Sequence, residues 1–421
     1  MQNMATVAIV GTCDTKLEEL IFLRDQIREH GDAVKTLLID VGRQDSEHEA
    51  IEIRQSELVK RCEDNPDVSN LPRGEFISCM GGCAAKLIRE LFEDGSIHGV
   101  VAAGGSCGSS LAAAAFKDAL PIGFPKLIVS TVASGDTSFL VGESDMTLMY
   151  SVVDVAGLNQ LLKDILSNAG AAIASMALSY AKRKKNQQQA IVGGKKRVGI
   201  TMFGVTTPAV TTIRAYLEAK YPIETYVFHA TGHGGRAMER LVTEKRLDAV
   251  LDLTTTEVCD LITGGIMAAA PDRLEAAVQA QIPYIVSLGA TDMSNFGPKS
   301  TVPEKYRHRK LLEHNPMVTL MRTSEDESKL VAEFIGNKLK ATRNPAKIQV
   351  WVPRGGVSAI STPGGPFEDL KSDVALFTGI WDILPATGIK IIDDERDIND
   401  EGFARDIAEA LAGLMGLAQM V

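Results

Sequence analysis

One pattern recurs along the whole chain: a short continuous apolar run, a glycine-rich turn and then an amphipathic stretch. Apolar runs without alternation are typical of strands that are buried on both faces, as in parallel sheets. Alternating strands and helices predict right-handed crossovers and a doubly wound α/β sheet. In the first half, this pattern predicts strands at 6–10, 35–41, 76–80, 99–103 and 126–130.

The pattern is interrupted once and then restarts. The segment AKRKKNQQQAIVGGKKR combines a basic run, three glutamines and a Gly-Gly pair, as linkers do. We therefore predict an α/β nucleotide-binding domain at 1–185, a linker at 186–197, and an α/β domain with a polar cleft at 198–421. Both are expected to be Rossmann-like and doubly wound, with mostly parallel sheets. Strands of the second half are predicted at 197–202, 225–229, 249–253, 284–288, 319–322, 348–352 and 389–392.

Composition narrows the functional classes. The net charge of -10 over 421 residues argues against binding to nucleic acid or to an anionic membrane surface. No apolar run approaches the roughly 20 residues of a membrane span, and the N-terminus lacks the basic start of a signal peptide. We expect a cytoplasmic protein whose six cysteines are free thiols.

Small polar residues follow the predicted strands of the first half. The turns are GTCDTK at 11–16, CMGGC at 79–83, GGSCGSS at 104–110 and STVASGD at 130–136. Turns after parallel strands share the carboxyl edge of a sheet, where such folds bind ligands, and helix N-termini there suit phosphate groups. None of these turns is a Walker A or G-x-G-x-x-G motif, so plain strand-to-helix turns remain an alternative. Arg43, just past the second predicted strand, is a candidate to reach the same edge and to pair with a phosphate or stack on a base, and a surface arginine is the alternative.

Polar residues also follow the strands of the second half. Side chains suited to acid–base catalysis there are His229, Asp252, Glu257, Asp292 and His314. Core or capping roles remain the alternative for each histidine. No nucleophile elbow and no diagnostic metal-ligand spacing appears, so the sequence predicts neither a hydrolase triad nor a metal site.

Nine motifs in order resemble those of one family: GTCDTKLEEL, GGSCGSSLA, GFPKLIVSTVASGD, MYSVVDVAGLN, TMFGVTTPAV, FHATGHGGRAMER, DLTTTEVCD, HNPMVTLMRT and GVSAISTPGGPF. This is the family of the N-terminal inhibitory domain of the tomato protein that confers resistance to tomato mosaic virus, and its bacterial members are mostly uncharacterised. The resemblance extends from Val7 to about Ala404. It implies two α/β domains, an ATP site and self-association, with a homodimer expected.

The resemblance also implies which residues contact the nucleotide. Ser109 stands where threonine is usual in the family, which keeps the hydroxyl, and His233 stands where threonine is common. The positions that match the family motifs are Thr12, Asp14, Thr15, Lys16, Arg43, Gly81, Gly82, Gly104, Gly105, Ser106, Gly108, Thr131, Ser134 and Gly135.

These observations leave three functional hypotheses. The first is an ATP-dependent metabolic enzyme, with Mg²⁺ as a candidate companion ion, acting on a small acidic metabolite in an interdomain cleft. The second is a non-catalytic regulatory module in which ATP is a structural ligand. In the third, ATP is an analogue of another phosphorylated or acidic metabolite.

Overall fold

The computed structural model describes residues 4–62, 66–189 and 194–420. The chain forms two compact units, Met1–Val192 and Gly193–Val421. The strands of the first unit are β1 (Ala5–Gly11), β2 (Val34–Asp40), β3 (Gly99–Gly104), β4 (Lys126–Ser130) and β5 (Thr147–Tyr150). Its helices are α1 (Cys13–Arg28), α2 (Gln55–Lys60), α3 (Arg73–Glu93), α4 (Ser106–Ala119), α5 (Ser138–Val141) and α6 (Gln160–Gln189).

The sheet of the first unit is parallel throughout, with the strand order β2-β1-β3-β4-β5. Alternate residues of each strand point to opposite faces, and both faces are covered by helices. Helices α3 and α4 cover one face and α1 and α6 cover the other. The predicted doubly wound fold is therefore confirmed.

The predicted strand at 76–80 is wrong, because these residues lie in the 21-residue helix α3. The buried residues Phe76, Met80, Cys83, Ala84 and Leu87 recur at spacings of three and four, which is a helical period. The short run FISCM fits a strand only when it is considered without the residues that follow. The Gly-Gly pair at 81–82 is consequently in the middle of a helix and does not form a turn.

The cysteines also differ from the prediction. Cys62, just after α2, is disulfide-bonded to Cys83 in α3, and their Cα atoms are 5.6 Å apart. The expectation of six free thiols is therefore wrong for this pair. Cys13, Cys79, Cys107 and Cys259 are free.

The stretch Gln160–Asn186 of helix α6 is long and apolar enough to cross a membrane, by length and composition alone. One of its faces is buried in the core of the first unit, through Leu162, Leu166 and Ile173. A core helix of an α/β layer has the same properties, so the helix is weak evidence for a membrane span.

The second unit contains the strands β6 (Lys196–Met202), β7 (Ile223–His229), β8 (Ala249–Thr254), β9 (Tyr284–Gly289), β10 (Met293–Phe296), β11 (Leu311–Asn315), β12 (Val318–Arg322), β13 (Ile348–Pro353) and β14 (Lys390–Asp394). Its helices are α7 (Thr207–Lys220), α8 (His233–Thr243), α9 (Glu257–Thr263), α10 (Glu275–Ala280), α11 (Glu325–Leu339), α12 (Leu370–Ile383) and α13 (Glu401–Leu414). Six strands form a parallel sheet in the order β14-β13-β9-β8-β6-β7.

A small antiparallel sheet, β10-β12-β11, accompanies the large one. It contains the strand predicted at 319–322, which is correctly placed along the chain but does not join the parallel sheet. The predicted linker at 186–197 overlaps the end of α6 and the start of β6, and its residues 190–193 lie outside the described residues.

Alanine substitutions at two helical glycines, Gly82 in α3 and Gly170 in α6, test whether residues 81–82 are helical. A methyl group on Gly82 meets no described atom within 4 Å, whereas one on Gly170 in α6 meets Cβ of Gln26 at 2.9 Å. Gly82→Ala is expected to raise the free energy of unfolding by about 0.5–1 kcal/mol, because alanine is the better helix former. Gly170→Ala is expected to lower it by about 1–3 kcal/mol through overpacking. Urea denaturation of both variants measures the difference, and a destabilised Gly82→Ala protein would contradict the helix.

Candidate functional site

Three turns of the first unit meet at the carboxyl edge of its sheet. They follow β2, β1 and β3, which are adjacent in the sheet. The turns enclose a cavity of 460 Å³, here called the edge cavity, whose size is typical of small-molecule sites. The edge cavity is lined by Thr12, Asp14, Thr15, Lys16, Arg43, Arg73, Phe76, Ile77, Gly104, Gly105, Ser106, Cys107, Gly108 and Asp154.

The sequence indicated a phosphate site at the start of α1. In the structure, most backbone N–H groups there already donate to acceptors within the protein. The backbone N–H of Cys13 donates to Oδ1 of Asp40 at 3.0 Å. The N–H groups of Thr15 and Lys16 donate to the carbonyl oxygen of Thr12 at 3.1 and 2.9 Å. These amides are therefore engaged, and the contribution of this turn to an anion site comes mainly from its side chains.

Asp14 connects the turn after β1 to the turn after β2. Its Oδ2 accepts from the backbone N–H groups of Arg43 at 2.9 Å and Gln44 at 3.2 Å. Gly42 lies against the same carboxylate, since a Cβ atom there would be 2.7 Å from Oδ1 of Asp14. Asp14 thus holds Arg43 at the edge cavity, and only glycine fits between the two turns.

The N-terminus of α4 differs from that of α1, because no side chain of the described residues accepts from its first N–H groups, whereas Asp40 accepts from Cys13 in α1. Its first N–H groups, from Ser106 to Gly108, have no carbonyl acceptor within the helix. Among the described atoms, a Cβ atom on Gly108 would meet none within 4 Å, and one on Gly105 would meet only Oγ1 of Thr131, at 3.8 Å. Backbone amides and the positive end of the helix dipole are thus available at the wall of the edge cavity.

Three cationic side chains line the edge cavity, namely Lys16, Arg43 and Arg73. The side chains of Lys16 and Arg73 form no hydrogen bond or ion pair with any residue that the structure describes. The carboxylates in the lining are those of Asp14, which binds backbone amides, and Asp154. The local balance is therefore positive in a chain whose net charge is -10.

The remaining predicted nucleotide contacts lie elsewhere. Gly81 and Gly82 are in the interior of α3, away from the turn where they were expected. Thr131 lies beside the cavity wall, where its N–H donates to the carbonyl oxygen of Gly104 at 3.3 Å. Ser134 and Gly135 belong to the turn that follows β4 and do not line the edge cavity.

Sequence reasoning missed several residues of the cavity wall. Arg73, Phe76 and Ile77 come from the start of α3, a helix that was missed because residues 76–80 were predicted as a strand. Asp154 follows β5, a strand that was not predicted. The apolar residues of α3 recur at spacings of three and four, and this period over the whole segment would have indicated a helix. The start of that helix forms a wall of the cavity.

In the second unit, Asp252 and Glu257 belong to a buried ionic network around Arg273, whose side chain is 1% exposed. Arg273 donates to Oδ1 and Oδ2 of Asp252 at 2.5 and 2.6 Å and to Oε1 of Glu257 at 2.5 Å. It also reaches Oε1 of Glu239 at 2.9 Å. Asp252 further accepts from the hydroxyl of Tyr284 at 2.9 Å. Both predicted catalytic acids are therefore buried and engaged within the protein core.

The glycines at the start of α8 have a packing role. A Cβ atom on Gly234 would be 1.9 Å from the carbonyl oxygen of His229, and one on Gly235 would be 1.9 Å from Oε1 of Glu257. The TGHGG motif therefore lets α8 approach β7 and the Arg273 network closely. In the turn itself, Nδ1 of His233 lies 2.8 Å from the guanidinium of Arg236.

The other predicted catalytic residues do not join this network. His229 and His314 are exposed, at the end of β7 and within β11. Asp292 is fully buried, and its Oδ2 accepts from the hydroxyl of Ser358 at 2.8 Å. Across the described ranges, no three His, Cys, Asp or Glu side chains gather into a metal-binding group.

Asp292 provides a pH-dependent test. Burial raises the pKa of Asp292 to about 6, although Arg322 opposes the rise. The folded protein thus keeps this proton up to a higher pH than the unfolded chain. The resulting stabilisation is complete below pH ~4 and is lost as the pH rises through ~6.

Asp292→Asn should remove this loss. Between pH 4 and 8 its free energy of unfolding should fall by up to about 3 kcal/mol less than that of the wild type, since one pKa unit corresponds to ~1.4 kcal/mol. Urea denaturation at both pH values measures the difference. Asp326→Asn, at a side chain that is 93% exposed, is the matched control. Equal pH dependence in the wild type and Asp292→Asn would contradict the assignment.

Comparisons with known proteins cover both units. Residues 5–182 match the N-terminal domain of the Uncharacterised protein family UPF0261, and residues 195–415 match its C-terminal domain. A UPF0261 protein of Mesorhizobium japonicum is 42% identical over 97% of this chain and 99% of its own length. A UPF0261 protein of Clostridium tetani is 40% identical over 97% and 98%.

A plant relative is longer. The ToMV resistance protein Tm-1(GCR237) of tomato (Solanum lycopersicum) is 39% identical over 97% of this chain, which corresponds to 55% of its own length. The solved UDP-N-acetylglucosamine 2-epimerase of Rickettsia bellii has a TM-score of 0.22 and 12% identity, over 67% of this chain and 78% of the epimerase. That likeness is too weak to support an inference. The full-length matches and both domain matches show that this chain belongs to the UPF0261 family.

Proposed function

We propose that the protein binds ATP in the edge cavity, with the phosphate groups at the N-terminus of α4. This proposal rests mainly on the N-terminus of α4, which lies at a wall of the 460 Å³ edge cavity. No side chain of the described residues caps it. Uncapped N–H groups and the helix dipole together make a site for an anion with several oxygen atoms. Gly105 and Gly108 leave room beside these N–H groups, since a Cβ atom at either position would meet no described atom closer than 3.8 Å.

The charges of the cavity wall support a phosphorylated ligand. Lys16 and Arg73 are without partners among the described residues, and both line the cavity. Arginine and lysine in this situation neutralise phosphate oxygens, because charge-assisted hydrogen bonds are stronger than neutral ones. A ligand with several negative charges would give both side chains a partner.

The contacts of the second unit favour binding without turnover over ATP-dependent catalysis. Asp252 and Glu257 are held by Arg273, so neither carboxylate is available as a general base. His229 and His314 are exposed and lie on different strands. The resistance role named for the tomato relative is consistent with a regulatory rather than a metabolic protein. We therefore place the non-catalytic module ahead of the enzyme of small acidic metabolites.

Cys107 offers a direct footprint of the ligand. It lines the edge cavity in the first turn of α4, whereas Cys79 in α3 does not line it, and both thiols are free and half-buried. ATP is expected to slow the alkylation of Cys107 by more than tenfold and to leave that of Cys79 unchanged. Mass spectrometry of peptides after maleimide treatment measures both rates. Unchanged alkylation of Cys107 at saturating ATP would contradict the proposed location.

Thermal unfolding with ATP tests whether Lys16 and Arg73 bind its phosphate groups. ATP at about 100 times its Kd should stabilise the wild type by about 2.7 kcal/mol. Lys16→Ala and Arg73→Ala should each weaken binding by about 10-fold or more, since each removes a charge-assisted contact. Lys86→Ala, a cation of α3 outside the cavity lining, is the control. ATP consumption measured in parallel should stay at the background rate, and steady turnover would favour the enzyme instead.

A further inference from the structure

We propose that Arg43 is a specificity residue that stacks on the base of the bound nucleotide and does not bind its phosphates. This inference rests on the proposed nucleotide site. It concerns the wall of the edge cavity that is built by the turn after β2 and the start of α3. The geometry of Arg43 separates its role from those of the other cations in the cavity.

The guanidinium of Arg43 is fixed in position and in plane. Its Nη1 donates to the carbonyl oxygens of Val68, Ser69 and Leu71, at 3.2, 3.0 and 2.8 Å. Its Cζ atom lies over the ring of Phe76, 4.4 Å from the ring centroid. The guanidinium therefore bridges the loop at 68–71 and the aromatic ring while it lines the cavity.

A group held in this way suits a flat ligand surface. A guanidinium is planar and stacks on aromatic rings, and a nucleobase offers such a surface whatever its hydrogen-bonding edge. No carboxylate of the described chain forms an ion pair with Arg43, so its charge remains available to the base. A purine, which has the larger ring system, gains the most from the contact.

The same contacts leave Arg43 less suited to a phosphate than a cation without such contacts. Its Nη1 already donates to three carbonyl oxygens, so a phosphate would have to compete for the N–H groups of Nη1, and only Nε and Nη2 are left as donors. Lys16 and Arg73 line the same cavity and form no such bonds with the part of the chain that the structure describes. The cations thus divide between a fixed planar group and two free charges.

The order of the strands sets the distance between Arg43 and the proposed phosphate site at α4. Strand β1 lies between β2, which precedes Arg43, and β3, which precedes α4. Two strand spacings separate their ends by roughly 10 Å. A single phosphate cannot span this distance, whereas a nucleotide with its phosphates at α4 extends toward β2.

Inorganic tripolyphosphate distinguishes the two roles, because it carries the phosphates of ATP without the base. We would measure both ligands by calorimetry on the wild type, Arg43→Lys, Phe76→Leu and Lys16→Ala. Arg43→Lys keeps the charge and loses the plane, so its Kd for ATP should rise about 10- to 100-fold while its Kd for tripolyphosphate stays within about twofold. Lys16→Ala should weaken the binding of both ligands.

Phe76→Leu keeps an apolar side chain at a buried position and removes the ring beneath the guanidinium. It should show the same selective loss of ATP affinity, and it remains informative if Arg43→Lys does not fold. Arg61→Lys, at an exposed ion pair with Glu90, is the matched control and should bind both ligands as the wild type does.

The outcomes separate this inference from the proposed function. If the wild type binds neither ligand, the nucleotide site itself is wrong. If the wild type binds both and Arg43→Lys weakens both equally, Arg43 is a phosphate ligand and the stacking role is overturned. Unchanged ATP affinity in Arg43→Lys or in a folded Phe76→Leu protein overturns it as well.

Discussion

The first N–H groups of α4 have no side-chain acceptor among the residues that the structure describes, and the interpretation of the first unit depends on this feature. Helix N-termini at the carboxyl edge of a parallel sheet need acceptors for several amides. The start of α1 finds them in Asp40 and in the carbonyl of Thr12. Asp14 satisfies the turn after β2. With its neighbours satisfied internally, α4 is the part of this edge that is suited to receive an external anion.

The second unit has a parallel sheet as well, but the polar groups at its carboxyl edge are satisfied differently. Arg273 neutralises Asp252 within β8 and Glu257 at the start of α9. The glycines in the first turn of α8 allow the close approach that completes the network. A buried arginine among three carboxylates costs solvation and is tolerated only when its hydrogen bonds are nearly complete. The residue types that suggested catalysis are therefore explained by the interior of the fold. The difference between the two edges is the reason to place the ligand in the first unit.

Much of this fold could be predicted from the sequence, because strands of a parallel sheet are continuous apolar runs and their turns share one edge. The run at 76–80 could not be assigned from its own residues, since four apolar residues and one serine fit a strand or a buried helix equally. The turns at 11–16 and 104–108 were identified as parts of one site because the topology gathers them. The partners of Arg43 could not be predicted, since its contacts come from a loop 25 to 28 residues away. Arg273 lies in no recognisable motif, so nothing in the sequence connected it to Asp252 and Glu257.

The most direct test is to cap the N-terminus of α4 with a side chain of the protein itself. Gly105 is the N-cap residue and has extended backbone angles that any residue adopts. An aspartate there would accept from the first N–H groups of α4 and place its charge where the phosphates are proposed to bind. Calorimetry and thermal unfolding of Gly105→Asp, with Gly105→Ala as the control, measure both effects. We expect Gly105→Asp to have a melting temperature at or above that of the wild type and no measurable ATP binding. A stable Gly105→Asp protein that binds ATP with wild-type affinity would contradict this expectation.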